Sequence, residues 1–249
     1  MTMERIIAVR NKKTIYRDGS RCIKVFNEDY AKADILNEAL NQARIEETGL
    51  HIPRILEVTT VEGKWAIVSE YIKGKTLSQL MQENPDEIEK YLTMFTNLHL
   101  EIHSRTCPML AKLEDKLVRE ICRTELEAAA RGRLLNRLEE LPRRSQLCHG
   151  DFNPSNIIVS EEGTPYILDW SHATQGDAAA DAARTYLLFC LHGSSENAQK
   201  YLDLFCRQSN ADSRHIRRWL SLVAASQSIK GNAEERGSLL AWVNDVDHQ

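Results

Sequence analysis

The sequence predicts an α+β fold in which a small antiparallel sheet carrying one helix is followed by a larger, mainly helical part. Three observations predict it. Short apolar runs separated by turn residues recur through positions 1–72 on either side of one helical stretch. Helical periodicity dominates after Gly74. A single hairpin pattern, at 156–168, interrupts the helices. The division is expected at 1–72 and 73–249, and 249 residues suffice to bury a core in one large domain or two lobes.

In order along the chain, Ile6-Ile7-Ala8-Val9 reads as a strand. Residues 14–16 and 22–26 flank the turn-prone Arg17-Asp18-Gly19-Ser20 and predict a hairpin. A helix follows over 29–48, with Ala31, Ile35, Leu36, Ala39, Leu40 and Ala43 on one apolar stripe, ended by Gly49 and Pro53. Strands at 54–60 and 64–71 turn at Glu62-Gly63. Thr76 is placed to cap a short helix through Met81. Pro85-Asp86 opens a long helix in which Ile88, Tyr91, Leu92, Phe95, Leu98 and Ile102 recur at helical spacing. A charged helical stretch covers 113–141 and stops at Pro142. After the hairpin of 156–159 and 165–168, helix returns from Asp177 onward, with breaks near Gly193-Ser194, 210–213 and Gly231. There is no internal repeat, low-complexity tract or long linker.

Composition narrows the function. With 27 % charged residues and 42 % apolar ones, this is a globular chain. A net charge of −4 gives no long-range attraction for nucleic acid, and Arg131, Arg133, Arg137, Arg143 and Arg144 are interleaved with Glu and Leu as on a solvated helix face. The six cysteines form no CxxC pair and several sit among apolar neighbours, which reads as small core residues in a reducing compartment. The first residues lack a leader's apolar region, and no run is long enough to span a bilayer. A cytoplasmic protein with neither nucleic-acid nor membrane partners is expected; the oligomeric state is not legible.

The chemistry is concentrated in His149-Gly150-Asp151-Phe152-Asn153-Pro154-Ser155-Asn156-Ile157-Ile158-Val159, followed by Tyr166-Ile167-Leu168-Asp169-Trp170. A carboxylate, a carboxamide and a second carboxylate stand at offsets 0, +5 and +18. Phosphoryl transfer needs those parts: one oxygen to orient an attacking hydroxyl and two ligands to hold Mg²⁺ against ATP phosphates. Asp151 is the candidate catalytic carboxylate. An ordinary Asp is a weak base, so orienting the hydroxyl is its larger contribution. Asn156 and Asp169 are the candidate Mg²⁺ ligands, since the ion prefers oxygen donors and needs only one or two from the protein. A turn Asp, a turn Asn and a strand-end cap are the structural alternatives, each plausible singly and poor jointly. His149 is expected to support the loop, its imidazole bonded to a nearby carbonyl, while Phe152 and Trp170 pack. Lys24 shares a strand face with Cys22 and Phe26, where a lysine needs a partner or a phosphate; a solvated edge lysine is the alternative.

This order of motifs resembles the aminoglycoside phosphotransferase and choline kinase family, small-molecule kinases with the bilobal protein-kinase-like fold. The resemblance runs over most of the chain and is carried mainly by residues 149–170. It implies an ATP-dependent O-phosphotransferase acting on a small hydroxylated molecule, with Mg²⁺, with GTP left open, and with nucleotide bound between a sheet lobe and a helical lobe. In this pattern Lys24 binds the α- and β-phosphates and pairs with a carboxylate on the next helix, for which Glu38 is the choice and Glu46 and Glu47 the alternatives. Glu70, Tyr71 and Ile72 form the connector that meets the adenine. No GxGxxG occurs near the start; Arg10-Asn11-Lys12-Lys13 takes its place, as a phosphate contact through N–H groups or lysine charge or as a solvated turn. Asn153 replaces the lysine of protein kinases, and Asp169-Trp170-Ser171 leads quickly to Gly176-Asp177, which disfavours a protein substrate. Asp181 is expected to hold the catalytic loop. Asp177, Glu196, Glu234, Glu235, Asp245 and Asp247 are the acids that would meet an amine-bearing acceptor such as an aminoglycoside or choline, with an ordinary solvated surface as the alternative. Sugar, thiamine, homoserine or methylthioribose kinases, and a nucleotide-binding regulatory module without turnover, are the competing readings.

Overall fold

A computed structural model describes residues 5–10, 12–229 and 233–244. In chain order the elements are β1 (Arg5–Arg10), β2 (Lys13–Asp18), β3 (Arg21–Phe26), α1 (Lys32–Glu46), β4 (Ile55–Val61), β5 (Lys64–Glu70), β6 (Gly74–Thr76), α2 (Leu77–Glu83), α3 (Ile88–His103), α4 (Leu113–Cys122), α5 (Ala128–Glu139), β7 (Gln146–Cys148), β8 (Ile157–Ser160), β9 (Pro165–Ile167), β10 (Thr174–Gly176), α6 (Ala178–Leu191), α7 (Ser195–Ser209), α8 (Ser213–Ser228) and α9 (Ala233–Asn244). They pack into two compact units. One comprises residues up to Pro85 with Pro154–His172; the other comprises Asp86–Asn153 and residues from Ala173 onward. Where the sequence suggested a division after residue 72, packing groups 73–85 and 154–172 with the sheet unit, because β6 pairs with β8 and β8 with β9.

The first unit is built on an antiparallel sheet of order β1-β2-β3-β5-β4. Alternation along β3 sends Ile23 and Val25 to one face, where they bury with Val61, Ala66 and Val68. Phe26 and Ile67 on the other face pack against Ile35 and Ala39 on α1. The expected stripe on α1 is turned: Leu36 and Leu40 are 41 % and 47 % exposed, whereas Glu38 is only 2 % exposed. The helix points a carboxylate inward because Lys24 on the sheet faces it. The smaller sheet, β6-β8-β9, carries the hairpin. Its edge requires glycine at position 74, where a Cβ would lie 2.1 Å from the carbonyl oxygen of Val159. Thr76 caps α2 as expected, in a reciprocal capping box with Gln79.

The second unit is helical, with β7 and β10 as a two-stranded ribbon. Tyr91, Leu92, Phe95, Leu98 and Ile102 of α3 are buried as their spacing predicts, and so are His99 and His103. The stretch expected as one helix over 113–141 is two, α4 and α5. Thr124 turns its hydroxyl back onto the Ile121 carbonyl at 2.7 Å, and Arg131 Nη1 takes the Leu126 carbonyl at 2.6 Å, so side chains satisfy the groups exposed at the break. Asn210, with φ of 57°, ends α7, and Asp212 caps α8. The expected break at Gly231 lies outside the described residues. No helix among the described residues is long and apolar enough to cross a membrane.

Candidate active site

In the first unit, two lysines and two carboxylates close into a ring of alternating charge. Lys24 Nζ lies 2.5 Å from Glu38 Oε1 and 3.9 Å from Asp169 Oδ1. Lys13 Nζ lies 3.1 Å from Asp169 Oδ2 and 4.0 Å from Glu38 Oε2. Burial alone would lower the Lys24 pKa, but the Asp169 and Glu38 carboxylates raise it above the ordinary lysine value. For Asp169 burial pushes up, while Lys24, Lys13 and the Ser171 hydroxyl, at 2.9 Å from Oδ1, hold it well below the usual carboxylate range. Both groups are therefore charged at neutral pH.

The hairpin brings the two candidate metal ligands to one end of a ladder. β8 and β9 pair from Ile157↔Ile167, and the Leu168 N–H donates to the Asn156 carbonyl at 2.8 Å, so Asp169 is the next residue beyond that bond. Asp169 has φ of 59°, a left-handed conformation that Asp tolerates better than most residues. An ionised carboxylate and a carboxamide carry the oxygen donors that suit Mg²⁺, and the hairpin brings the backbones of the residues that bear them together.

The connector residues Glu70 and Tyr71 are held by residues of neighbouring segments. Arg54 Nε lies 2.8 Å from Glu70 Oε1, the Tyr71 N–H donates to the Ser20 carbonyl at 2.8 Å, and the Arg17 guanidinium sits 4.5 Å above the Tyr71 ring. Ile72 is half-buried.

In the second unit, Asp151 follows β7 in a loop whose backbone is fixed at successive positions. Asp181, 3 % exposed in the first turn of α6, accepts the His149 N–H at Oδ2 (2.7 Å) and the Gly150 N–H at Oδ1 (2.8 Å). Arg184 Nε donates to the Gly150 carbonyl, and the Thr185 hydroxyl donates to that of Phe152 at 3.1 Å. Gly150 has φ of 76°, which allows this approach. Asn153 Nδ2 donates to the Asp151 carbonyl at 3.0 Å. Asp181 holds the loop as expected. The His149 ring supports the loop as well: its Nδ1 accepts the Asp151 N–H at 3.2 Å, which puts the ring proton on Nε2.

Two residues the sequence reading missed complete the anchor. His99 Nε2 and His103 Nε2 lie 3.1 and 3.2 Å from Asp181 Oδ2, and His99 Nδ1 lies 2.8 Å from the Tyr201 hydroxyl. Burial, then His103, pushes the His99 pKa down to about 3. Neutral His99 thus donates from Nε2 and accepts the Tyr201 hydroxyl at Nδ1. Burial would raise Asp181, but hydrogen bonds from His103 and His99 hold it well below the usual range. The two imidazole nitrogens and the carboxylate oxygen lie within 4.8 Å of one another, yet their N–H groups point where a metal would sit. The signal was a pair of histidines at i and i+4 on the apolar face of α3.

The acids assigned to an amine-bearing acceptor have other partners where they can be described. Asp177 caps α6 through the Ala179 N–H at 2.8 Å and meets His215 Nε2 at 3.0 Å. Glu196 pairs with Lys200 at 2.8 Å. Glu235 is half-buried on α9. Asp245, Asp247 and the Glu234 side chain lie outside the described residues.

With this geometry in view, comparison with known proteins is direct. A family model described as "Phosphotransferase enzyme family" matches residues 8–220. No match was found among curated protein sequences. Among solved structures, a thermostable mutant of aminoglycoside phosphotransferase APH(4)-Ia, in ternary complex with ADP and hygromycin B, is similar at 14 % identity, covering 97 % of this chain and 92 % of that one, with a TM-score of 0.72. A choline/ethanolamine kinase family protein from Mesorhizobium loti is similar at 14 % identity, over 100 % of this chain and 89 % of that one, with a TM-score of 0.66. Choline kinase LicA from Streptococcus pneumoniae is similar at 14 % identity, over 98 % and 94 %, with a TM-score of 0.62.

Proposed function

We propose that this chain, which belongs to the phosphotransferase enzyme family and is a small-molecule kinase, transfers the γ-phosphate of ATP to a hydroxyl of a small, amine-bearing molecule. The observation that carries the reading is the Lys24–Glu38–Asp169 cluster, in which a strand lysine is held extended by a helix carboxylate beside an ionised aspartate. Lys24 binds the α- and β-phosphates, with Glu38 fixing its direction. The connector around Glu70 and Ile72 meets the base. Asn156 and Asp169 would hold Mg²⁺, which would neutralise phosphate charge. Asp151 accepts a hydrogen bond from the acceptor hydroxyl and takes its proton as the new O–P bond forms and the bond to the bridging oxygen of ADP breaks. The rigid anchoring of His149 and Gly150 by Asp181 supports that role, since a positioning group needs a fixed backbone.

The hygromycin B complex of a structural neighbour and the choline kinase neighbours support a hydroxylated, amine-bearing acceptor. A sugar, thiamine or homoserine kinase is the second reading, favoured by the prior engagement of Asp177 and Glu196. The test is acceptor-dependent ADP release by the purified protein with Mg·ATP or Mg·GTP, across aminoglycosides, amino alcohols, sugars and other hydroxylated metabolites. Release with an amine-bearing acceptor supports the first reading. Release only with neutral acceptors selects the second, and tight nucleotide binding without release to any acceptor selects a regulatory module.

A further inference from the structure

The connection between β1 and β2 lacks the means to cover a triphosphate by backbone alone. The first glycine of the chain is Gly19, beyond β2. β1 ends at Arg10 and β2 begins at Lys13, these two residues are paired in the register, and only two residues of sequence separate them. A loop that cradles phosphates with successive N–H groups needs more chain and more backbone freedom than this.

What the strand offers instead is an ammonium. Lys13 pairs with Phe26 and Ile15 with Lys24 in the β2–β3 register. Lys13 and Lys24 therefore stand diagonally across adjacent strands on the face that meets α1. Their partners differ. Lys24 is held against Glu38 at 2.5 Å. The close partner of Lys13 is Asp169 Oδ2 at 3.1 Å, while the Ser171 hydroxyl takes the other oxygen, Oδ1. The nearest cation to the candidate metal ligand thus occupies the oxygen that the ligand must give up.

We infer that Lys13 is a phosphate-binding residue that holds Asp169 before nucleotide arrives and moves to a phosphate oxygen when it loads. The inference rests on the nucleotide-site reading above. A lysine suits the exchange because it is a point charge on a flexible stem with three rotatable donors, indifferent to whether its acceptor is carboxylate or phosphate. Lys24 keeps its own carboxylate throughout, so one lysine is the fixed contact and the other the mobile one. The side chain of Lys13 supplies from the first hairpin the positive charge that a glycine-rich loop would supply as N–H dipoles.

The test compares wild type with Lys13→Met, which keeps the stem and removes the charge, and with Lys12→Met, whose surface lysine pairs with Asp29 at 2.9 Å. Mn²⁺ binding without nucleotide is read by electron paramagnetic resonance, and Mg·AMP-PNP binding by calorimetry. Lys13→Met is expected to bind Mn²⁺ more tightly and Mg·AMP-PNP more weakly, each on the order of tenfold; Lys12→Met is expected to change neither. An unchanged Mn²⁺ constant, an unchanged nucleotide constant, or equal shifts in Lys12→Met would overturn the inference. Wild type that fails to bind Mg·AMP-PNP would instead overturn the nucleotide site itself. A wild-type crystal with Mg·AMP-PNP decides the matter without a variant: Lys13 Nζ on a phosphate oxygen supports the exchange, and Nζ still on Asp169 Oδ2 excludes it.

Discussion

The N–H of Gly150 donates to Asp181 Oδ1 at 2.8 Å, joining the residue before the candidate catalytic Asp151 to the first turn of a helix 31 residues further along. The same carboxylate accepts the His149 N–H and two imidazole N–H groups. Four donors on one buried carboxylate explain how a charge sits in a nearly solvent-free place. Asp181→Asn would turn an amide N–H₂ toward donors. It should cost about 3–5 kcal/mol of stability, measured by urea unfolding, because the remaining donors are left buried and unpaired. A loss below about 1 kcal/mol would mean the network adds little.

His99 gives a pH signature. Its pKa in the folded chain is pushed down to about 3 by burial and His103, against 6.5 for a free imidazole. The unfolded chain therefore binds a proton that the folded chain refuses as pH falls below about 6.5, and stability declines toward acid. Between about pH 6 and 4.5 the depressed Asp169 and Asp181 contribute little slope, since their share is lost only as pH falls below the ordinary Asp value. Unfolding free energy measured across that window should slope by up to about 1.4 kcal/mol per pH unit more in wild type than in His99→Gln. Equal slopes would show that His99 is charged in the folded chain.

The Lys24–Glu38 pair separates stability from function. Lys24→Met leaves a nearly buried carboxylate with one cation at 4.0 Å in place of a direct partner, so unfolding should become easier by roughly 3 kcal/mol. Replacing Glu38 by Met as well should recover much of that loss, because the unpaired charge is gone. Nucleotide affinity, read by calorimetry, should stay low in the double variant. Recovery of both would make the pair a packing feature only.

Asp151→Ala should lower turnover by roughly 10²–10⁴-fold, the range for a positioned acid–base group, with Mg·AMP-PNP affinity and melting temperature near those of wild type. Its loop is anchored through the backbone of its neighbours, bonds that remain when the side chain is removed. Wild-type turnover in this variant would remove Asp151 from the chemistry.

Much of this was legible in the residues. A lysine in the apolar run Cys22–Phe26 demanded a partner; the family resemblance implied a carboxylate on the next helix, and Glu38, the one chosen there, is the one it meets. The spacing of Asn156 and Asp169 around two short apolar runs predicted the hairpin that brings their backbones together. Other features follow from tertiary contacts that periodicity does not carry. The turned face of α1 is set by the ion pair and not by Leu36 and Leu40. The choice at Lys13 between a phosphate contact and a solvated turn stayed open because its partner lies 156 positions away. His99 and His103 were hidden within an apolar stripe, where a histidine reads as packing until the carboxylate opposite is seen. The break between α4 and α5 contains no Gly or Pro; side-chain bonds from Thr124 and Arg131 make it.

The most direct measurement is calorimetry of Mg·AMP-PNP binding to wild type and Asp169→Ala, with and without Mg²⁺. Asp169 as a metal ligand predicts that the magnesium-dependent part of the affinity disappears in the variant, a loss of roughly 10–100-fold, while metal-free nucleotide binding is retained. Equal Mg·AMP-PNP affinity in the two proteins would contradict it.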